Sequence, residues 1–109
     1  MADITKLTDA DFDAQVLHET LPVLVDFGAE WCHPCRQLDA IVDELAAEWD
    51  GKVKVGRLDI DENVRTTMRY GVMGVPTLIL FRDGEPVERL NGFVPKRRIS
   101  ERLGPHLGL

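Results

Sequence analysis

Only two cysteines occur in this sequence, Cys32 and Cys35 of "EWCHPCR". So few exclude a disulfide framework, and the loop between them is too short to stabilise a fold much by restricting the unfolded chain. A structural zinc ion takes four ligands, and beside this pair there are only His18, His33 and His106, at no recognisable ligand spacing. No metal is expected. No apolar run approaches the roughly 20 residues that span a bilayer, and "MADITKLTD" lacks the basic and apolar pattern of a secretory leader. The expected location is the cytoplasm. Internal repeats, low-complexity tracts and linkers are absent too, so residues 1–109 are expected to form one domain. Nor is there a block of positive charge. The net charge is -6 with its acids scattered, which argues against nucleic acid or an anionic membrane as partner. The one basic cluster, Lys96-Arg97-Arg98, fits the solvated face of a late helix.

What is present alternates between strand and helix patterns. "DITKL" is a candidate extra strand, and "LTDADFDAQVL" reads as a short helix with a cap at Thr8 and Asp11 three residues on. "PVLVDF" (Pro22 to Phe27) is a β-branched, nearly continuous apolar run, the pattern of a strand buried on both faces. Beyond the cysteines, Leu38, Ile41, Val42, Leu45, Ala46 and Trp49 make one helical stripe, with Asp39, Asp43, Glu44 and Glu48 on the other side and Asp50-Gly51 as the stop. "KVKVGRLDI" (Lys52 to Ile60) reads as a second core strand, and "NVRTTMRYG" as a helix capped by Asn63 and stopped at Gly71. "TLILF" and "PVERLNGF" form a hairpin with Asp83-Gly84 at its tip. A last amphipathic helix uses Ile99, Leu103 and Leu107, bent or ended at Gly104-Pro105. This order predicts an α/β fold: a mixed sheet flanked by helices, its first two core strands parallel and the hairpin antiparallel. The cysteines then sit at the carboxyl end of a core strand, where open α/β sheets place their chemistry.

A helix that starts between Cys32 and Pro34 brings the two thiols one turn apart. The spacing of about 5–6 Å between such positions suits a reversible disulfide, and proline is at home in a first turn. The helix N-terminus offers partial positive charge and free N–H groups, both of which favour a thiolate. Cys32, at that end and expected near the surface, is the better nucleophile. Cys35, a turn further in, is the resolving thiol. Asp26 lies inside an apolar run, so burial is expected to disfavour its charged form and raise its pKa.

Together "VDFGAEWCHPCR", "GVPTLILFRDGE" and "NGF" resemble the thioredoxin family at the same mutual spacings and over essentially the full chain. Thioredoxins are the usual example of a C-x-x-C redox motif beside a β-α unit. The resemblance implies a thioredoxin fold and reduction of protein disulfides through a reversible Cys32–Cys35 disulfide, with no bound cofactor. It implies that Asp26 accepts and donates the proton of Cys35, and that Val75-Pro76 is cis and faces the disulfide. A groove framed by Trp31, Gly74, Val75, Pro76 and Gly92 would take an extended substrate segment. The implied partners are disulfide-containing proteins and a thioredoxin-reductase-type electron donor, typically one using NADPH and flavin. The protein itself is expected to be a monomer.

Four positions depart from the family pattern. His33, between the cysteines and before Pro34, replaces a glycine; a cation there would stabilise the Cys32 thiolate and make the protein more oxidising. Arg57 stands where a lysine near the buried acid is common, and its guanidinium stays charged, so it is not expected to relay protons. Gly28 replaces an aromatic residue, which should open the surface beside the disulfide or let neighbours repack. Ala40 replaces a proline, so the helix should be straighter. Two other functions fit the same fold: an oxidase- or isomerase-like exchange protein, and an interaction or chaperone module whose cysteines are incidental.

Overall fold

Strand and helix patterns become elements in nearly the expected order in the computed structural model, which describes residues 4–109. They are β1 (Thr5–Leu7), a π-helical segment (Asp13–Leu17), β2 (Val23–Gly28), α1 (His33–Glu48), β3 (Lys54–Asp59), α2 (Val64–Arg69), β4 (Thr77–Arg82), β5 (Glu85–Asn91), α3 (Lys96–Leu103) and a closing 3-10 turn (Gly104–Leu107). The sheet order is β1-β3-β2-β4-β5. β1 and β2 both run parallel to β3, β4 is antiparallel to β2, and β5 is antiparallel to β4. β2 thus has a hydrogen-bonded neighbour on each side and helices or loops on each face, which is why its apolar run is nearly continuous.

Alternation along β2 sends its side chains to two separate cores. Leu24 joins Leu38, Val42 and Leu45 of α1 and Ile99 of α3 on one face. Val23, Val25 and Phe27 join Phe12, Val16 and Phe81 on the other. Asp26 falls in step with Leu24 and therefore points under α1. The helix stripe is buried at Leu38, Val42, Leu45, Ala46 and Trp49, with Ile41 at its half-buried margin. α1 is one unbroken helix through Ala40.

Several local signals behave as their chemistry dictates. Thr8 and Asp11 form a reciprocal capping box: the Asp11 N–H donates to Thr8 Oγ1 at 3.3 Å, and the Thr8 N–H donates to Asp11 Oδ1 at 2.8 Å. The hairpin tip carries φ 52° at Asp83 and 80° at Gly84, the left-handed pair that a two-residue turn requires. α3 ends at Leu103 and the chain continues through Gly104-Pro105 as a tighter turn that leaves Leu107 half-buried. Lys96 of α3 pairs with Glu44 at 3.3 Å and also meets Glu48, while Arg97 and Arg98 are exposed.

Three expectations need correction. The segment after the capping box is π-helical rather than α-helical, with the His18 N–H donating to the Asp13 carbonyl at 3.1 Å. That wider turn buries Phe12 and Val16 in one core, and Lys54 Nζ donates to the Gln15 carbonyl at 2.9 Å. Asn63 occupies the N-cap position of α2, but its side chain makes no cap hydrogen bond. Its side chain accepts from the Asp9 N–H and donates to the Asp59 carbonyl, and Asp9 takes over, accepting from the Thr66 N–H at 2.8 Å and the Arg65 N–H at 3.2 Å. β1 is shorter than the "DITKL" stretch: Thr5–Leu7 pairs with Gly56–Leu58, Ile4 is outside the strand, and Asp3 lies outside the described residues.

Candidate active site

Register brings the residues of the two sequence motifs to one end of the sheet. Phe27 pairs with Thr77 and Thr77 with Asn91, so Gly28, Pro76 and Gly92 follow one another across the carboxyl end of β2. The chain leaves β2 at Gly28, passes Trp31, and enters α1 at the cysteines. Cys32 is the N-cap residue, with extended backbone (φ -91°, ψ 105°), and Pro34 follows in the first turn. The cap is made by sulfur: the Cys35 N–H donates to Cys32 Sγ at 3.2 Å. The two residues are joined as a disulfide with their Cα atoms 5.3 Å apart.

Accessibility does not separate the two thiols. Cys32 is 4% exposed and Cys35 2%, which corrects the expectation of a surface Cys32. In the disulfide, Sγ of Cys32 turns toward Cys35 and its N–H, away from solvent. What separates the pair is position, since only Cys32 occupies the cap and receives that N–H. His33, the first residue of α1, and Pro34 are exposed. Trp31 is 67% exposed and pinned by its indole, which donates from Nε1 to Asp61 Oδ2 at 2.7 Å.

Beneath α1, Asp26 is fully buried. Arg57, its register partner on β3, donates from Nε to Asp26 Oδ2 at 3.2 Å. Among the described residues, Asp26 Oδ1 has no hydrogen-bond partner. Burial pushes the Asp26 carboxyl up to about 8, the neighbouring Asp39 carboxylate adds to the rise, and Arg57 offsets only part of it. Arg57 itself is shared: Nε lies 3.3 Å from Asp39 Oδ1, and its second terminal nitrogen lies 3.2 Å from Asp43 Oδ1. Burial pulls against the guanidinium charge, but Asp26 and Asp39 more than offset it and hold its pKa above the ordinary value.

Gly28 borders an open cleft of about 520 Å³ lined by Glu30, Arg36, Asp39, Arg57 and Asp59. A Cβ built on Gly28 would lie 3.5 Å from Cys35 Sγ, an ordinary van der Waals contact, so this position borders both the cleft and Cys35.

The loop before β4 carries a cis Val75-Pro76 bond, as the resemblance implies. Thr77 Oγ1 donates to the Gly74 carbonyl at 2.8 Å, and the Gly92 N–H donates to the Pro76 carbonyl at 2.8 Å. Gly92 has φ 80°, where other residues are strained. A Cβ on Gly74 or Gly92 would meet nothing within 4 Å, and a groove of about 430 Å³ runs past Met73, Gly74, Val75, Pro76 and Gly92. Val75 takes part in none of the backbone hydrogen bonds found in turns and loops among the described residues. Met73, 98% exposed, stands on the groove wall.

Asp39, Asp61 and Met73 also belong to the site, although no sequence motif contains them. Asp39 carries a usable signal: it and Asp43 follow Cys35 by four and eight residues, on the helix face that carries that cysteine. Asp61 carries none, because its contact with Trp31 spans thirty residues. Among the described residues, no group of three or more His, Cys, Asp or Glu is placed to hold a metal ion. No helix there is long and apolar enough to cross a membrane.

The family model described as Thioredoxin matches residues 3–104. The chain is 49% identical over 104 residues to proteins named Thioredoxin from Staphylococcus aureus strains Mu50 / ATCC 700699, MW2 and N315, covering 95% of this chain and 98% of each relative. The chain belongs to the thioredoxin family.

Proposed function

We propose that this member of the thioredoxin family reduces disulfides in other proteins, with Cys32 attacking and Cys35 resolving. The observation that carries the reading is the Cys32–Cys35 disulfide at the start of α1, with Cys32 as the cap. In the reduced protein, the Cys35 N–H and the positive end of the helix favour the Cys32 thiolate. That thiolate attacks one sulfur of the substrate, forming a mixed disulfide and releasing the other sulfur as a thiolate that takes up a proton. Asp26, as carboxylate, then accepts the Cys35 proton through water. The Cys35 thiolate attacks Cys32 Sγ and expels the second substrate thiolate. Two electrons have left the dithiol, and a thioredoxin-reductase-type donor returns them.

The groove past Val75 supports the binding mode: its free backbone is available to an extended segment, with Gly92 beside it, while Trp31 lines a separate recess with Asp61. Arg57 acts as a fixed counter-ion rather than a relay. The domain takes in residues 1–109, works as a monomer in the cytoplasm, and needs no bound cofactor. Insulin reduction tests the reading. Wild type should accelerate it in the presence of dithiothreitol, and Cys32→Ser should not; a wild type without activity would leave only the interaction-module reading.

His33 favours a second reading, that exchange is poised toward disulfide formation or shuffling. It is exposed on the first turn of α1, next in the chain to Cys32. Its imidazolium form would stabilise the Cys32 thiolate and with it the reduced protein. His33→Gly should therefore equilibrate with glutathione at a more negative potential than wild type. An unchanged or less negative potential would remove the electrostatic role of His33.

A further inference from the structure

The Arg57 guanidinium stands between three carboxylates, and only one of them is sealed from water. Asp26 is fully buried, whereas the side chains of Asp39 and Asp43 are 30% and 58% exposed. One Arg57 nitrogen, Nε, is divided between Asp26 Oδ2 at 3.2 Å and Asp39 Oδ1 at 3.3 Å. A terminal nitrogen is occupied by Asp43 Oδ1 and by the Asp39 carbonyl at 3.4 Å. A single positive charge cannot neutralise three negative ones. Asp39 and Asp43 reach solvent and Asp26 does not, so burial weighs on the charge of Asp26 alone.

We propose that Asp39 is a positioning residue for the resolving step: by sharing Arg57 Nε with Asp26, it withholds a full counter-ion from the buried carboxyl and so sets the pH at which Asp26 exchanges a proton with Cys35. The other groups facing Asp26 do not supply what Asp39 takes away. On β4 its register partner is Leu78, which is apolar. On α1 the nearby groups are Cys35, Asp39 and Asp43. Around the adjoining cleft, Asp59 and Glu30 add negative charge, and the Arg36 guanidinium donates to the Glu30 carbonyl at 2.6 Å. The unpartnered Oδ1 of Asp26 is the atom left to hold the proton. The device is open to water on its Arg57 and Asp39 side, since both line the cleft that Gly28 borders.

The kinetic part rests on the role proposed above for Asp26, and the test separates the two. Carboxyl titration by NMR in the oxidised protein, where Cys35 does not titrate, reads the coupling alone. Asp39→Asn should lower the Asp26 midpoint by about one pH unit, and Asp39→Glu should restore it. Asp43→Asn should move it less than Asp39→Asn does. An unmoved midpoint in Asp39→Asn, or an equal fall in Asp43→Asn, overturns the proposal. The second measurement is the pH dependence of mixed-disulfide resolution, whose acid limb should shift in Asp39→Asn by the same amount as the titration. A shifted titration with an unshifted rate profile overturns the proton role of Asp26 and the kinetic half of the proposal, while upholding the electrostatic coupling.

Discussion

Asp26→Ala is expected to unfold at higher denaturant than wild type at pH 7, with a stability gain of about 2–4 kcal/mol, and to resolve mixed disulfides more slowly. The gain follows from the carboxyl pKa, pushed up to about 8 in the fold by burial and by Asp39, against about 4 in the unfolded chain. A group raised in this way binds more protons folded than unfolded, so stability falls as pH rises between those two values. Each pH unit across that window removes about 1.4 kcal/mol. By pH 7 most of the penalty is present, and alanine abolishes it. The alanine leaves a small void, worth about 1 kcal/mol against the variant, and Arg57 keeps Asp39 and Asp43 as partners. The gain should fall to zero or reverse by pH 4, where Asp26 is protonated in the fold and about half protonated in the unfolded chain and the void outweighs what remains. It should stop growing above pH 8. Urea unfolding of the oxidised proteins at pH 4, 7 and 9 measures it. Equal or lower stability at pH 7 together with unchanged exchange rates would remove Asp26 from the mechanism.

A residue that destabilises the fold where the protein works is explained by function rather than by packing. Asp26 shares its strand face with Leu24, inside a core of leucines and valines, and an apolar side chain there would pack without penalty. That much is legible in the sequence, because an acid inside "VLVDF" contradicts its neighbours and the contradiction is local. The same holds for the cysteine pair at a strand-to-helix junction and for the left-handed turn at Asp83-Gly84. Periodicity and end signals act over a few residues, so they are written into the chain where they operate.

What is not legible depends on contacts between distant segments. The Asp9 side chain replaces that of Asn63 in capping α2, across more than fifty residues. Asp39 is only half legible. Its step of four from Cys35 puts it on that cysteine's helix face, but the stripe defined by Leu38 and Val42 makes it read as one more acid on the outer side of α1. Only the parallel pairing of β2 with β3, which carries Arg57 under that edge of the helix, turns it into a neighbour of Asp26. The burial of Cys32 is hidden for another reason: a helix N-terminus suggests access to solvent, but the sulfur turns inward to bond Cys35. At Gly28 the absence of a side chain is visible, while the size of the cleft depends on whether Glu30, Arg36 and Asp59 close over it.

Cys35→Ser should convert a turning-over reductase into a trap, with insulin reduction falling by about 10³-fold or more. The cap that activates Cys32 is a backbone N–H of residue 35, donating to Sγ at 3.2 Å, and serine keeps it. The first attack should therefore survive. The second cannot, because a hydroxyl at that position is neither ionised nor a nucleophile toward sulfur near neutral pH. The adduct of Cys32 with the substrate should accumulate to about one equivalent and persist until an external thiol releases it, visible by mass spectrometry under non-reducing conditions. Packing does not interfere, since serine is smaller than cysteine and the side of residue 35 facing Gly28 has room. Cys32→Ser should form no adduct, because the remaining thiol lacks the N–H that its partner receives. Capture by Cys32→Ser but not by Cys35→Ser would reverse the two roles. Both residues are equally hidden in the oxidised protein, so trapping by Cys35→Ser alone is what the helix cap predicts and what their burial there does not.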